Sequence, residues 1–519
     1  MLSSPRARNR GSPGDSNPRQ QTVRGIAKRR KRSTARRAAR SLSVSIVPTK
    51  LGNAYPTGPR GGKRDAGLKN RCWELQQGHR TLSTVSLKQQ RIAELAEQSP
   101  EMAFTSLAYH MDLDWMLEAY RRTRKDGAVG VDGVTAAEYE QDLVGNLQRL
   151  LARAKSGTYR APPVRRVHIP KGSGNETRPI GIPALEDKIL QRAVVLLLEP
   201  IYEHDFSESS FGFRPKRSAH QALDAIWQGA SRGQGGWILE VDIRKFFDTL
   251  DHGHLREMLG HRIRDGVVLR LIGKWLKAGV MEDGSLSFPD AGSPQGGVIS
   301  PLLANAYLHY VLDVWFDRDV KPRLRGRTWL VRYADDFVMG FTHESDARRV
   351  QSVLSKRFEK YGLTIHPDKT RLVPFQRPTP RSRGKGEGPS GRPGTFDFLG
   401  FTHYWCRSRR GNWVVKRKTA KDRVRRSIRA IMSWCRQHRH TPVGEQQQKL
   451  NQKLQGHYGY YGITGNFLAV KSFQELVKRI WRYWLNRRNR ERSLSWELMN
   501  RLLQRYPLAP ARIIHQCTT

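Results

Sequence analysis

The 519-residue sequence has few acidic side chains, few cysteines and no long apolar run. Its 47 Asp and Glu residues stand against 92 Lys and Arg residues, which gives a formal net charge of +45. The four cysteines (Cys72, Cys406, Cys435 and Cys517) form no CxxC pair, which excludes a disulfide scaffold and a cysteine-rich zinc module. Without about 18 consecutive apolar residues, a membrane-spanning helix is excluded as well. A chain with this excess of positive charge is expected to bind a polyanion, most commonly nucleic acid.

The positive charge is concentrated at the two ends of the chain. Residues 1–64 carry 17 basic side chains and one acidic side chain, and residues 407–519 carry 26 basic and five acidic ones. These segments account for +16 and +21 of the total, which leaves +8 for residues 65–406. Segment 1–64 has no amphipathic period, so we predict a disordered extension, with an RNA-binding tail or an organelle transit peptide as alternatives.

Three carboxylates lie in or beside apolar runs that predict buried strands. Asp242 is near the end of Trp237–Ile243, and Asp335 and Asp336 lie between two further apolar runs. A buried carboxylate is costly unless it is paired or binds a metal. Adjacent residues of a strand point to opposite faces, so we predict a hairpin tip at Tyr333–Asp336. Three such acids could hold two Mg²⁺ ions, although each Asp alone is explained as simply by a turn or a surface position.

The remaining hydrophobic pattern predicts the elements that surround these acids. We expect helical spacing in 85–122, a loop at Lys125–Gly133, a helix over 136–156, a strand at Val164–Ile169, a helix over 185–200 that Pro200 ends, a helix that Ser300 caps and Pro301 opens, a surface insertion at 376–395, and basic helices after about residue 416.

Several short motifs occur in a characteristic order. They are Lys125–Gly133, Ile169-Pro-Lys with Thr177–Pro183, Phe211–Lys216, Trp237–Asp248, Ser293–Asn305, Arg332–Val338, Gly362–Thr370 and Phe398–Gly400. Together they resemble the reverse transcriptase and maturase proteins that bacterial group II introns encode. The resemblance covers roughly residues 85–519.

The resemblance implies an α+β fold of the right-hand polymerase type, with fingers and palm followed by a helical thumb, or X, domain. The expected parts are a basic extension at 1–64, an N-terminal extension and fingers at 65–235, a palm at 236–406, a thumb at 407–492 and a short DNA-binding tail at 493–519. The chain has neither the length nor the cysteine pairs of the HNH endonuclease domain found in some members. It therefore resembles the compact, class C-like lineage.

The resemblance also implies a catalytic centre with a divalent metal. Asp242 and Asp335 would be the main Mg²⁺ ligands, with Mn²⁺ as a substitute, and Asp336 would be an accessory carboxylate. The backbone carbonyl of Ile243 would reach a metal as well.

Five further positions match residues that contact the incoming nucleotide in the family. Lys171 and Arg178 would bind the triphosphate, although surface basicity is the simpler explanation for Lys171. Gln295 would touch the sugar, with Gly296 and Gly297 allowing close backbone approach. Phe247 would exclude a 2′-hydroxyl, with Phe246 as the alternative. Lys369 would neutralise phosphate charge.

The basic C-terminal region is predicted to bind RNA. The expected contacts are Arg423, Arg425, Arg426, Arg429, Arg479, Arg482, Arg487 and Arg488. Trp481 and Trp484 would either stack on unpaired bases or, more simply, pack the helical bundle.

We therefore expect an RNA-directed DNA polymerase that is also a maturase. It would bind its group II intron RNA, assist splicing and copy the intron into DNA during retrohoming, with a DNA target, a primer and dNTPs as further partners. The alternatives are a domesticated prokaryotic reverse transcriptase and a non-catalytic splicing factor. We expect a cytoplasmic monomer or homodimer without membrane contact, or an organellar protein if residues 1–64 are a transit peptide.

Overall fold

The computed structural model describes residues 84–170, 177–234, 236–282, 285–288, 292, 296–378, 394–488 and 493–516. The expected disordered extension and most of the expected insertion at 376–395 lie outside these residues. The helices are α1 (84–98), α2 (Leu113–Arg122), α3 (Ala136–Glu140), α4 (Leu143–Ser156), α5 (Leu185–Asp205), α6 (Ala219–Gly229), α7 (Phe246–Thr249), α8 (His252–Gly260), α9 (Gly266–Leu276), α10 (Ser300–Leu308), α11 (Glu344–Lys360), α12 (Lys421–Gln437), α13 (Val443–Tyr461), α14 (Phe467–Leu485) and α15 (Trp496–Arg505). None of the helices in these ranges is long and apolar enough to cross a membrane.

The strands form three sheets, which confirms the expected α+β class. They are β1 (Val164–Pro170), β2 (Thr177–Ile182), β3 (Trp237–Val241), β4 (Val280–Glu282), β5 (Ser285–Ser287), β6 (Thr328–Tyr333), β7 (Asp336–Phe341), β8 (Arg371–Pro374), β9 (Phe396–Phe398), β10 (Phe401–Arg407) and β11 (Trp413–Thr419). Their orders are β2-β1-β4-β5, β6-β7-β3-β8 and β11-β10-β9. We name the first the fingers sheet and the second the palm sheet.

The palm sheet is covered on both faces. Leu239 and Met339 belong to one hydrophobic core, which contains most of the N-terminal helices, and Ile238 and Val338 belong to a second core with α6 and β9–β11. Every residue of β3 is buried. A strand covered on both faces can be apolar at consecutive positions, which explains the unbroken apolar run in the sequence.

Helix α5 continues past the proline that was expected to end it. Pro200 lies inside Leu185–Asp205, so the predicted end at residue 200 is wrong. Proline cannot donate to the carbonyl four residues earlier, which belongs to Leu196. The side chain of Gln89 on α1 donates to that carbonyl at 2.9 Å. Burial on nearly all sides and this substitute bond together let the helix continue.

Two other boundaries differ from the sequence prediction. Ser300 is the first residue of α10 rather than its cap, because Ile299 holds the cap position and no side chain there accepts a capping bond. Lys416, Arg417 and Lys418 lie on β11 rather than on a basic helix. The alternation of β11 buries Arg417, which pairs with Asp224 at 3.0 Å, so this basic run starts as a strand.

The C-terminal helices form a bundle with its own hydrophobic core. Helices α12 to α15 each contribute buried side chains to it. The indole of Trp481 is fully buried and donates to the Gln446 side chain at 2.9 Å, so Trp481 packs the bundle, as the simpler interpretation predicted. The segment after α15 also packs here, since the Ala509 N–H donates to Asn451 at 2.7 Å.

The contact between Gln89 and the proline site can be tested by a double-mutant cycle. We expect Gln89→Ala to lower the free energy of unfolding by about 1–2 kcal/mol, because it leaves the Leu196 carbonyl without its donor. In a Pro200→Ala background the helix can supply that donor, so the same change should cost about 1 kcal/mol less. Denaturant unfolding of the four variants measures both. Gln90→Ala is the matched control, since Gln90 bonds only at the surface to Glu94, and additive effects would contradict the explanation.

Candidate active site

The predicted hairpin tip is present, and it brings the three aspartates to one edge of the palm sheet. Tyr333 pairs with Asp336, so Ala334 and Asp335 form a two-residue turn between β6 and β7. On the neighbouring strand, Val241 pairs with Phe337, and this register places Asp242 beside Asp336. The hairpin prediction is therefore confirmed.

The carboxylates at this edge repel one another. Desolvation raises the pKa of Asp336 to about 6, and the negative charges of Asp335 and Asp242 add to this effect. The Asp336 side chain nevertheless keeps exposed surface toward the cleft. Burial is also the largest cause of the raised pKa of Asp335, and the charge of Asp242 adds to it. A cation bound near these carboxylates would therefore be favourable, because it would offset their mutual repulsion.

A lysine already contacts one of the three acids. Lys369 lies two residues before β8, and its Nζ donates to Asp242 Oδ2 at 3.0 Å. Two residues back, the register pairs Glu240 with Arg371, whose Nε donates to Glu240 at 2.8 Å. Glu240 on β3 and Asp242 just after it are therefore each paired with a base, one on β8 and one just before it.

Asp242 and Asp336 line a cleft of about 450 Å³ between the palm sheet and the start of the C-terminal bundle, and Asp335 lies in the adjoining turn. Asp422 and Arg423 at the start of α12 close one side, and Leu399 and Gly400 close another. The positive charge of Arg423 lowers the pKa of Asp336 relative to what burial alone would give. Arg423, which we predicted to bind RNA, therefore faces the cleft with the aspartates.

The acids fit a divalent cation by their chemistry. They are oxygen ligands in a partly desolvated place, which suits Mg²⁺ or Mn²⁺. In the described residues, no group of three or more His, Cys, Asp or Glu side chains is arranged so that it could hold a metal alone. A cation at this edge would compete with Lys369 for Asp242. The Ile243 carbonyl, the other predicted ligand, belongs to a residue that bridges to Ile365.

A buried arginine that the sequence analysis did not single out holds the turn. Arg332 has no exposed side-chain surface, and its Nε donates to Asp313 Oδ1 at 2.8 Å. Its Nη1 donates to Asn305 Oδ1 at 2.9 Å and to the Ala334 carbonyl at 3.1 Å. Ala334 has a φ of 58°, a conformation that a residue other than glycine seldom adopts. The Arg332 network thus fixes a strained turn on which Asp335 depends.

The Phe211–Lys216 motif supports the same turn from the other side. The Phe211 N–H donates to the Arg332 carbonyl at 2.9 Å, and the Gly212 carbonyl accepts from Asn305 at 2.7 Å. A Cβ on Gly212 would lie 2.3 Å from the Ala334 nitrogen. Phe211 and Gly212 therefore hold the turn in place, and we call them the brace. The signal available in the sequence was the glycine, which marks a close backbone approach.

The structure distinguishes the two phenylalanines that follow Asp242. Phe246 is 2% exposed and packs edge-on against Tyr307, so it belongs to the core. Phe247 is only partly buried beside that core. Phe247 is therefore the one with free surface, in agreement with the preferred assignment.

The predicted nucleotide contacts are only partly described. Lys171 and Gln295 lie outside the described residues. Arg178 on β2 is exposed, and its charge lowers the pKa of both Asp335 and Asp336 relative to burial alone. Gly296, which we expected to face a nucleotide, has a φ of 119°, and a Cβ there would lie 2.3 Å from the Gly181 carbonyl of β2. Close packing against β2 is thus sufficient to require glycine at position 296.

Apart from Arg423, which lines the cleft, the predicted RNA-binding arginines fall into two groups. Arg425, Arg426 and Arg429 on α12, Arg479 on α14 and Arg487 just after α14 are exposed. Arg482 donates to the Leu494 carbonyl at 2.9 Å, and Arg488 donates to the carbonyls of Arg439 and Thr441. These last two arginines hold the bundle together, so only the first group offers guanidinium groups to a partner.

Comparison with known proteins agrees with these observations. Residues 169–403 match the family described as reverse transcriptase (RNA-dependent DNA polymerase). Protein YkfC of Escherichia coli is 34% identical over 49% of this chain and 75% of its own length. The group II intron-encoded protein LtrA of Lactococcus lactis is 36% identical over 45% of this chain and 40% of its own length, so this chain spans less than half of LtrA. Nuclear intron maturase 2 of Arabidopsis thaliana is 31% identical over 37% of the chain and 30% of its own length.

The brace behind the turn gives a testable expectation. We expect Gly212→Ala to destabilise the protein by about 1–3 kcal/mol, because its Cβ would displace the Ala334 backbone. Gly260→Ala is the matched control, since a Cβ there meets nothing within 4 Å and should be neutral or slightly stabilising. Denaturant unfolding measures both variants. Equal stability of the two would show that Gly212 does not brace the turn.

Proposed function

The chain belongs to the reverse transcriptase family, among the proteins that group II introns encode, and we propose that it is an RNA-directed DNA polymerase that also acts as a maturase. It binds its intron RNA, assists splicing and copies the intron into DNA. The observation that carries the enzymatic half is the placement of Asp242, Asp335 and Asp336 at one sheet edge that opens into a cleft.

Reverse transcriptases use divalent metal ions, and the three aspartates are the residues that would hold them here. A bound divalent cation supplies Lewis-acid activation of a primer hydroxyl and of the leaving pyrophosphate. The protein contributes a turn that is fixed before substrate binds, so Asp335 need not reorganise during the reaction. Arg178 places positive charge near the acids, where it would attract the nucleotide triphosphate.

Two other side chains have roles that their positions favour. Phe247, five residues after Asp242, presents a partly exposed ring and would exclude a nucleotide with a 2′-hydroxyl by steric contact. Lys369 holds Asp242 until substrate and cation arrive, after which its ammonium would be available to phosphate charge. Lys171 and Gln295 remain predicted contacts to the triphosphate and the sugar.

The RNA-binding half is supported by the exposed arginines of α12 and α14. Phosphate contacts by Arg and Lys release counterions from RNA and dominate its affinity. Arg425, Arg426 and Arg429 lie within two turns of one helix, while the buried faces of that helix contact the bundle. Structured intron RNA is the ligand that we propose for this surface, with a DNA target, primer and dNTPs for the cleft.

Primer extension on an RNA template with dNTPs and Mg²⁺ tests the enzymatic half. We expect Asp335→Asn to reduce extension by about a thousandfold, because it removes a charge that holds the metal at the reacting atoms. Asp368→Asn is the matched control, since Asp368 lines the same cleft but its side chain is 88% exposed. If Asp335→Asn retained as much activity as the control, the assignment of Asp335 would be wrong.

Salt-dependent RNA binding tests the other half. Replacing Arg425, Arg426 and Arg429 together by Ala should weaken binding of the intron RNA and reduce the slope of log K against log salt by about two to three. Splicing of the flanking RNA should fall with it, while extension on a short template stays within about twofold. The control replaces Arg348, Arg349 and Lys356 on α11. An equal loss of short-template extension would contradict the separate roles of bundle and cleft.

A further inference from the structure

A second recess, of about 770 Å³, lies beside β5 at the edge of the fingers sheet. One face of α9, the segment that follows α4 and the end of the β5 strand form its walls. It shares no lining residue with the cleft that holds the aspartates. In the fingers sheet β5 is three strand spacings from β2, about 14 Å, and β2 is the strand that carries Arg178.

The recess is lined by basic side chains without an acidic partner. Its cations are Arg160, Arg256, Arg270, Lys274 and Lys277, and its described lining includes no Asp or Glu. Lys274 donates to the Gly157 carbonyl at 2.6 Å and so belongs to the framework, whereas Arg160, Arg256 and Lys277 are exposed. Gathering like charges in one recess is unfavourable unless an anion binds there.

An aromatic ring stands at the mouth of this recess. Phe288 is 67% exposed, and the neighbouring Leu286 is 46% exposed. The ring lies against the backbone, because a Cβ on Gly279 would be 2.9 Å from Phe288 Cε1. An exposed ring with a fixed edge, next to cations, is a surface on which an unpaired base can stack.

The floor of the recess contains a helical glycine that packing inside the protein does not require. Gly273 lies in the interior of α9, and a Cβ there would meet nothing within 4 Å. Glycine makes a helix less stable than alanine does. The absence of a side chain at Gly273 leaves room for a ligand to approach the α9 backbone closely.

We propose that this recess binds a single-stranded segment of RNA, with phosphates on Arg256 and Lys277 and a base stacked on Phe288. Single-stranded RNA is favoured over a duplex because the bases of a duplex are already stacked and cannot cover an exposed ring. The inference rests on the proposed function in one respect, that the chain binds RNA, and it adds a separate site and the form of RNA that the site accepts.

The first test measures binding of a fluorescent 12-nucleotide oligouridine to the full chain by anisotropy. Unlabelled template–primer is present in excess, so that the polymerase cleft is occupied. We expect Arg256→Glu with Lys277→Glu to weaken binding at least fivefold. The charge-matched control, Arg349→Glu with Lys356→Glu on α11, should change it less than twofold. Equal losses in the two variants, or no loss in the first, would overturn the proposal.

Two further variants separate a binding role from a loss of folding. The wild-type chain should bind oligouridine more tightly than an abasic strand of the same length, and Phe288→Ala should reduce that ratio at least fivefold. Gly273→Ala should raise the midpoint of thermal unfolding and at the same time weaken oligouridine binding. An unchanged ratio in the Phe288 variant, or unchanged affinity in the Gly273 variant, would contradict the site.

Primer extension distinguishes failure of this proposal from failure of the proposed function. Extension on a short template should stay within twofold of wild type in all of the recess variants. If the wild-type chain did not extend a primer at all, the polymerase assignment would fail, while the anisotropy comparison would still decide whether the recess binds RNA.

Discussion

The candidate active site depends on the fully buried ion pair between Arg332 and Asp313. A buried charge is tolerated only when it is paired and hydrogen-bonded, and removing one partner of such a pair typically costs about 3–5 kcal/mol. Here the remaining donors of the guanidinium reach Asn305 on α10 and the Ala334 carbonyl in the turn. The Arg332 side chain thus connects α10 to the turn between β6 and β7. The position of Asp335 follows from a network that is buried away from solvent.

The site combines this rigid support with carboxylates that are unfavourable without a cation. Burial and mutual repulsion raise the pKa of Asp335 and Asp336, while Lys369 offsets part of the charge at Asp242. Such an arrangement lowers the stability of the protein, as is common at functional sites. Carboxylates that the protein had already neutralised would bind a cation only weakly. The strained φ of Ala334 belongs to the same pattern.

The large positive charge of the chain acquires a more specific meaning from the structure. Some of the basic residues of the C-terminal region are structural: Arg417 is buried against Asp224, and Arg488 caps backbone carbonyls. Arg423 faces the acids of the cleft. Others, among them Arg425, Arg426 and Arg429 on α12, are exposed, and a basic recess lies outside the C-terminal region. Net charge alone could not separate these classes, because it counts paired and unpaired cations alike.

The sequence by itself determined the α+β class, the hairpin between β6 and β7, the buried strand before Asp242 and the family. The hairpin and the buried strand follow from the continuity of apolar residues and from acids placed where an apolar core would reject them, whereas the family and the α+β class follow from the resemblance of the ordered motifs. The tertiary structure decided what depends on partners distant in the chain. Helix α5 passes Pro200 because Gln89, more than a hundred residues away, satisfies the carbonyl that proline leaves open. The contacts of Arg332, Gly212 and Gly296, and the burial of Phe246 beside a partly exposed Phe247, were decided in the same way, since which surface a side chain contacts is fixed only when the sheets and helices are assembled.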